Sequence, residues 1–317
     1  MDNLQGQFPK VFIITLNWNG KDDTLECLGS LRKLDYPNYE IVVVDNGSID
    51  ESVSAIRAQF SEVTIIENRK NIGYAKGFNT GLQYAYERGA DYFLILNNDT
   101  VVDQHAVSEL VKAAQGHKQI GFVTGKVYWY AKAEVLQTVG RHSDPNRLLE
   151  RQIGSGEVDN GQYDEEREYD FVDDVFLLVN REVYEAVGGY DSHFFLYFEE
   201  TDWCARVRKA GYSILFTPLA RIWHKGNTGG QGVDVSPLRH FYLTRNEIIF
   251  FKRNAPSGKF AGIAGAYLWR HTDASLRLIK KGKFRHAFAH LRGAVAGLWC
   301  IWQDSRRSKR STPNKSI

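Results

Sequence analysis

Short apolar runs alternate with segments of helical periodicity in the first part of the chain. The apolar runs are 11–16, 40–45, 63–66 and 92–96. Runs of this length and content are typical of buried strands, whereas the apolar residues between them recur every third or fourth position, which indicates helices with one buried face. This alternation predicts a βαβαβαβ order and a mostly parallel α/β sheet with right-handed crossovers.

Polar residues follow each of these predicted strands. Asn17, Asp45, Asn68 and the group 97–99 stand at the four carboxyl ends. In open α/β sheets these ends share one rim, and ligands bind beside it. Asp99 is a hard oxygen ligand for Mg²⁺ or Mn²⁺, so we hypothesise that it holds a cation carrying the diphosphate of a nucleotide-sugar. The simpler alternative is a turn, because Asn, Asp and Thr are common turn residues.

The position of Asp45 at this rim suits the recognition of a pyrimidine base. A carboxylate there can accept a hydrogen bond from the ring N–H of uracil or thymine. Alternatively, Asp45 caps its own turn through Gly47 or Ser48. The next predicted helix begins after Gly73, and a helix start with close backbone approach favours a phosphate. The glycines there could also serve tight packing alone.

The second half of the chain continues the alternation less regularly. Predicted strands lie at 121–130, 173–179 and 213–217, with a short helix at 181–187. The polar stretch 141–170 is expected to pass over the side of the sheet where the molecule that accepts the sugar would bind. Another helix is predicted from Glu199 to Lys209.

The first turn of that helix holds Glu199, Glu200 and Asp202. A helix dipole stabilises an anion in this position by about 0.3–1 kcal/mol, which favours an ionised general base. Acidic residues in a first turn are also simply good helix design. The aromatic run 194–198 directly before them makes the functional explanation the more specific one.

His224 follows the predicted strands and precedes a glycine-rich stretch, 225–232. By itself, a histidine in this position indicates a structural hydrogen bond. The glycine-rich stretch is either a lid that orders over substrate or a surface loop without a role. Arg245, further along, either binds a diphosphate bidentately or braces the fold.

Composition narrows the class of protein. The 317 residues carry a net charge of +2, which gives no indication of a nucleic-acid partner. Three widely spaced cysteines form no zinc-binding pattern and fit a reducing cytoplasm. We expect no signal peptide, and no apolar run approaches the roughly 18 residues of a membrane-spanning helix.

Two further helices are predicted near the C-terminus, at 264–279 and 287–302. The second has an apolar face with Trp299 and Trp302, near several lysines and arginines. A basic amphipathic helix that carries tryptophan can lie in a membrane interface. Alternatively, it packs on the catalytic domain or on a second subunit. The basic segment 304–317 is expected to be disordered.

Four motifs, in order, resemble glycosyltransferase family 2. They are Thr15–Asn19, Val43–Ser48, Asn71–Gly81 and Leu96–Asp99. The resemblance is to the rhamnosyltransferase-like branch and extends over about residues 10–255. It implies a glycosyltransferase A-type catalytic domain over 1–256, with a nucleotide-sugar half at about 10–103 and an acceptor half at about 120–256. A helical extension, 257–303, and the tail, 304–317, would follow.

The resemblance also implies roles for single residues. A divalent cation, Mn²⁺ or Mg²⁺, would be bound by Asp99 and His224, although the family's Asp-X-Asp motif begins here with Asn97. Glu200 occupies the position of the catalytic base, with Asp202 as the second choice and Glu199 as the third. The residues expected to contact the nucleotide-sugar donor are Thr15, Asn17, Asp45, Asn79, Asn98 and Arg245.

The implied activity is inverting transfer of a sugar to a hydroxyl of a glycan or lipid-linked acceptor, in cell-surface polysaccharide synthesis. The expected donor is dTDP-rhamnose or a UDP-sugar. The expected location is the cytoplasm, with peripheral membrane contact and a homo-oligomer as options. One alternative is a sugar-nucleotide pyrophosphorylase, which needs a glycine-rich, basic loop where this chain has Asn17–Gly20. The other is a non-catalytic carbohydrate-binding protein.

Overall fold

The computed structural model describes residues 8–143, 150–226, 236–254 and 260–310. Its strands are β1 (Val11–Asn17), β2 (Tyr39–Asp45), β3 (Thr64–Glu67), β4 (Tyr92–Asn97), β5 (Thr100–Val102), β6 (Ile120–Trp129), β7 (Lys132–Thr138), β8 (Gly140–Ser143), β9 (Glu150–Ile153), β10 (Arg167–Glu168), β11 (Phe176–Asn180) and β12 (Ser213–His224). Its helices are α1 (Lys21–Leu31), α2 (Ser52–Gln59), α3 (Tyr74–Glu87), α4 (Ala106–Gly116), α5 (Arg181–Val187), α6 (Glu199–Lys209), α7 (Pro237–Asn254), α8 (Phe260–Lys280) and α9 (Phe284–Arg310).

The chain divides into two compact units. The first comprises Met1–Phe195 and Glu199–Thr228, and the second Leu196–Phe198 and Gly229–Ile317. The division falls earlier in the chain than the expected end of the catalytic domain at residue 256, so α7 belongs to the second unit. The functional boundaries themselves stay a prediction.

A mixed ten-stranded sheet organises the first unit. Its strand order is β10-β12-β6-β11-β4-β1-β2-β3, with β5 paired to β12 and β7 to β6. Strands β3, β2, β1 and β4 are parallel, as the alternating pattern predicted. The predicted α/β fold class is therefore confirmed. The sequence did not reveal that β11 runs antiparallel between β4 and β6. As a result, the start of β11, rather than its end, lies at the rim formed by the ends of the parallel strands.

The core of this unit is formed by the apolar runs that the sequence showed. Residues 11–14 of β1 and 93–96 of β4 are completely buried, because helices cover both faces of the central strands. Helix α3 approaches the sheet closely at Gly81, where an added Cβ would lie 2.4 Å from Ile14 Cγ2. A side chain larger than hydrogen would thus push α3 away from β1.

Some elements differ from the prediction. The strand expected at 213–217 continues to His224 as one strand, β12, whose register shifts between Phe216 and Arg221. Pro218 lies in that interval and has no N–H to donate to the ladder, which accounts for the local break. The stretch 141–170 contains β8, β9 and β10, and residues 144–149 of it lie outside the described residues.

Helices α7, α8 and α9 make up most of the second unit. Helix α9 packs closely on α7, since a Cβ added at Gly293 would lie 2.4 Å from the Phe241 carbonyl oxygen. Asn246 of α7 is completely buried, and its Nδ2 donates to the carbonyl oxygens of Leu196 (2.9 Å) and Tyr197 (2.8 Å). Tyr197 and Phe198 both have a φ of 71°, which is the left-handed region that non-glycine residues rarely adopt.

A polar chain runs through the interior of this helical unit. Glu247 Oε2 lies 3.0 Å from His271 Nε2, and His271 Nδ1 lies 2.9 Å from His290 Nε2. Ser275 Oγ is in turn 2.9 Å from His290 Nδ1. Burial, together with the charge of His271, lowers the pKa of His290 to about 4. His290 is therefore neutral near pH 7, which suits its place in this buried chain of hydrogen bonds.

Both predicted C-terminal helices are present, and both are longer than expected. Helix α9 continues to Arg310, beyond residue 304, where the disordered tail was expected to begin. Its last turn is rich in arginine and lysine, which are good helix formers and are favoured near a helix C-terminus. Residues 311–317 lie outside the described residues. No helix in the described part of the chain has the length and apolar content needed to cross a bilayer.

The close approach of α3 to the sheet gives a test of the fold. Gly81→Ala should lower the free energy of unfolding by about 1–3 kcal/mol, because Ile14 cannot move away without disturbing the core. Gly29→Ala in α1 is the matched control, since nothing lies within 4 Å of the added Cβ. It should raise stability by about 0.5–1 kcal/mol through helix propensity. Urea unfolding compares the variants, and equal effects would contradict the packing described here.

Candidate active site

The carboxyl ends of β1, β2 and β4 bring polar side chains together at one rim of the sheet. Asn17 is in register with Asp45 on β2, and Leu16, its neighbour on β1, is in register with Asn97 on β4. Asn17 and Asp45 are almost completely buried, and Asn97 is half-buried. The structure thus places these three residues side by side, as their positions at strand ends predicted.

A chain of hydrogen bonds runs along this rim to Asp45. Asn98 Nδ2 donates to Thr24 Oγ1 (2.8 Å), which donates to Asn17 Oδ1 (2.9 Å). Asn17 Nδ2 donates to Asp45 Oδ1 (2.8 Å), while the backbone N–H of Ser48 donates to Asp45 Oδ2 (2.9 Å). Asp45 therefore makes the turn contacts that the simpler alternative described. The Gly47 N–H also donates to Asp45 Oδ2 (3.2 Å). A carboxylate has about four acceptor positions, so these three contacts leave it able to accept one more hydrogen bond.

Asp99 and His224, predicted to share a cation, lie next to each other. Asp99 Oδ1 is 3.0 Å from His224 Nε2. The pairing of β5 with β12 causes this, because Thr100 is in register with His224 and the Lys225 N–H donates to the Asp99 carbonyl oxygen (2.9 Å). Both side chains are largely buried, with His224 9% and Asp99 18% exposed.

Gln137 fixes the orientation of the His224 ring. Its Oε1 lies 2.8 Å from His224 Nδ1, so Nδ1 carries the proton in this hydrogen bond and the Nε2 lone pair of a neutral ring points towards Asp99. Two acceptor atoms at this distance require a proton or a cation between them. A ring whose second nitrogen is held by a side-chain oxygen is the usual arrangement of a metal-binding histidine.

These two residues fit a divalent cation of the Mn²⁺ or Mg²⁺ type. A carboxylate oxygen and an imidazole nitrogen are suitable donors for Mn²⁺, and an oxygen-rich remainder of the shell suits both ions. In the described part of the chain, no three His, Cys, Asp or Glu side chains gather around one point. The protein would therefore supply two ligands here, and the other ligands would come from the donor diphosphate and water.

The segment that follows His224 is held in place at its start. Lys225 Nζ lies 2.6 Å from Asp23 Oδ1 and 2.5 Å from Glu26 Oε2, both on α1. Although burial acts against it, these acidic partners raise the pKa of Lys225 above its ordinary value. The glycine-rich stretch 225–232, for which the sequence left open a lid or a surface loop, thus begins at an anchored lysine. Most of it, from residue 227, lies outside the described residues.

Glu200, the predicted base, is held by an arginine. Arg141 Nη2 lies 3.1 Å from Glu200 Oε1, which also accepts a hydrogen bond from Thr201 Oγ1 (3.1 Å). Arg141 Nη2 is fixed in turn by the Val172 carbonyl oxygen (2.8 Å). The Glu200 side chain remains 17% exposed. Glu200 is therefore both oriented by a fixed partner and open to a reactant.

Asp202, the second choice for the base, is committed to another contact. It is 3% exposed, and its Oδ2 lies 2.8 Å from Arg206 Nε, one turn further along α6. The Arg206 guanidinium also donates to the carbonyl oxygens of Val187 and Gly189 (both 2.7 Å). This arrangement joins α6 to the end of α5, so Asp202 has a structural task. Glu199, the third choice, is 4% exposed.

A buried carboxyl that the sequence did not single out lies close to Glu200. Asp174, two residues before the start of β11, is 9% exposed, and its Oδ2 accepts a hydrogen bond from Tyr190 Oη (2.7 Å). Burial and, after it, the negative charge of Glu200 raise the pKa of Asp174 to about 7. A protonated Asp174 beside an ionised Glu200 avoids placing two adjacent negative charges in a buried place.

Tyr74 lies close to both this carboxyl and Asn97. Its hydroxyl donates to Asn97 Oδ1 (3.1 Å). Burial and, after it, the neighbouring carboxyl of Asp174 raise the pKa of Tyr74 above its ordinary value. Asn97 Nδ2 lies 3.4 Å from His224 Nε2. The amide that replaces the family's first aspartate therefore has a definite place between Tyr74 and His224.

The other expected donor contacts are Thr15, Asn79 and Arg245. Thr15 is completely buried in β1, and its Oγ1 has no hydrogen-bond partner in the described part of the chain. Asn79 Nδ2 donates to the Tyr190 carbonyl oxygen (2.8 Å), and its Oδ1 accepts from the Tyr190 N–H (2.9 Å). Asn79 thus holds Tyr190 beside Asp174. Arg245 belongs to the second compact unit, where its Nη1 donates to Asn246 Oδ1 (2.7 Å).

The residues that the sequence analysis missed lie on strands that it did not predict, or beside one whose direction it did not predict. Gln137 is on β7 and Arg141 is on β8, at the start of the polar stretch 141–170. Asp174 had one signal, which is a carboxyl directly before an apolar run. That signal becomes informative only once the antiparallel direction of β11 is known, because the direction decides which end of the strand meets the rim.

The sheet, the polar rim and the acidic helix define a glycosyltransferase A-type fold. The family model of glycosyl transferase family 2 matches residues 11–188, which is more than half of the chain. The chain therefore belongs to glycosyl transferase family 2 and is a glycosyltransferase. This excludes both alternatives drawn from the sequence, the pyrophosphorylase and the non-catalytic binding protein.

Individual proteins show the same relationship. A poly-beta-1,6-N-acetyl-D-glucosamine synthase from Staphylococcus aureus is 25% identical over 228 residues, which are 70% of this chain and 50% of the synthase. The structure of GalNAc-T7 with UDP, GalNAc and Mn²⁺ superposes with a TM-score of 0.62 at 15% identity, over 80% of this chain and 48% of that one. The structure of the mannosyltransferase PcManGT from Pyrobaculum calidifontis, in complex with GDP-Man and Mn²⁺, superposes with a TM-score of 0.56 at 17% identity. The match covers 92% of this chain and 88% of that one. This chain thus spans half the length of the synthase.

The raised pKa of Asp174 predicts how stability depends on pH. Between about pH 4 and 7 the unfolded chain ionises this carboxyl while the folded protein keeps it protonated, so Asp174 lowers stability as the pH rises. Asp174→Asn removes this effect and retains an acceptor for Tyr190. Its stability relative to the wild type should therefore increase by about 1.4 kcal/mol per pH unit in this range.

Urea unfolding at pH 5 and pH 7 measures the effect. The free energy of unfolding of the variant, relative to that of the wild type, should be higher at pH 7 than at pH 5. Circular dichroism checks that the secondary structure is the same at the two pH values. A difference that is the same at pH 5 and pH 7 would show that Asp174 is already ionised in the folded protein.

Proposed function

We propose that this glycosyltransferase inverts the anomeric carbon of a nucleoside-diphosphate sugar in one displacement. The observation that supports the proposal most strongly is the Asp99–His224 pair, oriented by Gln137, at the rim where Asp45 also lies. A second observation, the fixed and partly open carboxylate of Glu200, supplies the other half of the chemistry.

The donor would bind along the polar rim. Asp45 would accept the ring N–H of a uracil or thymine, while Asn17 and Asn98 hold the surrounding turn in position. Asp99 and His224 would bind the cation. When bound, a divalent cation offsets the charge that develops on the departing diphosphate. We propose dTDP-rhamnose or a UDP-sugar as donor.

Glu200 would act as the general base. Its carboxylate takes the proton from the acceptor hydroxyl as that oxygen forms a bond to the anomeric carbon. The bond from this carbon to the diphosphate oxygen breaks at the same time, and the nucleoside diphosphate leaves with the electron pair. Attack on the face opposite the leaving group inverts the configuration. Arg141 keeps Glu200 Oε1 in one place, and Oε2 is then the atom available to the acceptor.

The acceptor would be a hydroxyl of a glycan or of a lipid-linked sugar, in the synthesis of a cell-surface polysaccharide. The name of the related Staphylococcus aureus synthase, a maker of a poly-N-acetylglucosamine, favours this context. A lipid-linked acceptor places the reaction at the cytoplasmic face of a membrane. We propose that the C-terminal helices make peripheral contact with that membrane. The alternative is that they form the interface of a homo-oligomer.

Glu200→Gln tests the base. Transfer should fall by about 10²–10⁴-fold, because the amide cannot accept the acceptor's proton, while donor binding should remain close to that of the wild type. Product formation from a sugar-nucleotide in the presence of Mn²⁺ gives the rate, and calorimetry with the same nucleotide gives the affinity.

Asp202→Asn is the comparison variant. Loss of its ion pair leaves the Arg206 charge uncompensated in a largely buried place, so thermal stability should fall more than in Glu200→Gln. Transfer at a temperature where it is folded should exceed that of Glu200→Gln. If Asp202→Asn is folded but inactive while Glu200→Gln retains transfer, Asp202 is the base.

A panel of sugar-nucleotides tests the donor class. With Mn²⁺, UDP- and dTDP-sugars should raise the melting temperature more than GDP-mannose does, because stabilisation follows the ligand concentration relative to its Kd. Asp99→Asn should remove the part of the shift that requires Mn²⁺. A larger shift with GDP-mannose would contradict the assignment of Asp45 to a pyrimidine, and a Mn²⁺ effect that survives in Asp99→Asn would contradict the cation site.

A further inference from the structure

The outward side of α9 carries a continuous apolar stripe. Its residues recur at intervals of four, three, four, three and four, which places them on one side of a helix, with a second tryptophan beside them. All are between 42% and 69% exposed. The stripe consists of Phe284, Phe288, Leu291, Val295, Leu298, Trp299 and Trp302.

The second unit does not need this stripe for its own packing. The opposite side of α9 is the one that contacts α7, where Gly293 and Gly297 allow close approach and Ala287 and His290 are buried. Soluble proteins normally expose large apolar side chains singly, and a contiguous row marks a surface that something else covers. The described residues thus leave a large apolar face of α9 directed at solvent.

The charges around the stripe indicate what covers it. Residues 280–303 contain five lysines and arginines and no aspartate or glutamate. Lys280, Lys281, Arg285 and Arg292 are exposed, and Arg285 and Arg292 lie on the same flank of α9. A second copy of the chain would bring the same cations and, from this stretch, no acid to compensate them. An anionic surface would match both the apolar stripe and its charge.

The two tryptophans point to a lipid surface rather than to a protein groove. Trp299 and Trp302 stack with ring centroids 4.6 Å apart at the C-terminal end of the stripe. Indole rings prefer the level of lipid headgroups, where their apolar body and N–H group are both satisfied. Basic side chains beside an apolar helix face are the composition of helices that lie in a membrane interface.

We propose that α9 lies in the interfacial layer of an anionic phospholipid bilayer, with the stripe among the acyl chains and the flanking cations at the headgroups. This deepens the membrane contact of the proposed function by naming its surface and its lipid chemistry. The membrane contact depends on the proposed function only for its biological role, which is to hold the enzyme beside a lipid-linked acceptor. Vesicle binding can be measured without donor, acceptor or Mn²⁺.

Co-sedimentation of the full chain with lipid vesicles tests the proposal. Vesicles of phosphatidylglycerol mixed with phosphatidylcholine should bind the protein, and vesicles of phosphatidylcholine alone should bind at least about tenfold less, since each cation near an anionic surface contributes about fivefold. The double variant Phe288→Ala, Trp299→Ala should lose about tenfold or more of the binding to anionic vesicles. Both side chains are exposed, and circular dichroism checks that the fold is unchanged.

Trp18→Ala is the matched control, because Trp18 is 56% exposed in the first unit and Trp299 is 55% exposed. Trp18→Ala should bind vesicles like the wild type. Equal loss in both variants, or no binding of the wild type to anionic vesicles, overturns the proposal. So does a wild-type dimer, seen by light scattering, that the double variant converts to a monomer while neither binds vesicles. Because transfer to a soluble acceptor is measured separately, failure of the base or the donor assignment would leave this result unchanged.

Discussion

The pairing of β5 with β12 is the constraint on which the proposed chemistry depends. Asp99 and His224 are far apart in the sequence, and they meet because three residues of one short strand are in register with the last three of another. That register sets the 3.0 Å separation between a carboxylate oxygen and an imidazole nitrogen. The hydrogen bond from His224 to Gln137 then leaves the other ring nitrogen as the one available for a cation. A two-ligand site of this kind is incomplete by itself, so it would favour a cation that arrives with a diphosphate.

The acidic side chains around the site divide into different tasks because their surroundings differ. Asp202 is buried against Arg206 and joins two helices, while Glu200 is oriented by Arg141 and keeps access to solvent. Asp174 is buried without a cationic partner in the contacts described, and it tolerates this by holding a proton. The Tyr74 hydroxyl, which is close to Asp174, donates to the Asn97 amide beside His224. These contacts bring the region around the proposed base close to the region around the proposed cation.

Sequence patterns predicted the parallel half of the sheet well, because each of its strands is an apolar run bounded by polar residues and separated from the next by a helix. They also predicted helix α6 to its first and last residue. The irregular half was less accessible, since β8, β9 and β10 have four residues or fewer and β7 carries little apolar periodicity. For the same reason, Gln137 and Arg141, which orient His224 and Glu200, were missed. Asp174 required the direction of β11, which is a property of the whole sheet and not of the local sequence.

Two aromatic residues in left-handed conformation, Tyr197 and Phe198, directly precede the first turn of α6. Each such residue costs about 1–3 kcal/mol, and the paired hydrogen bonds from buried Asn246 hold the carbonyl groups in place. Glycine would adopt this conformation without strain. The two aromatic residues therefore lower the free energy of unfolding through their backbone conformation. Replacing either residue by glycine would relieve this strain but also remove its ring contacts, which for Phe198 include the Phe250 ring, 5.7 Å away between centroids.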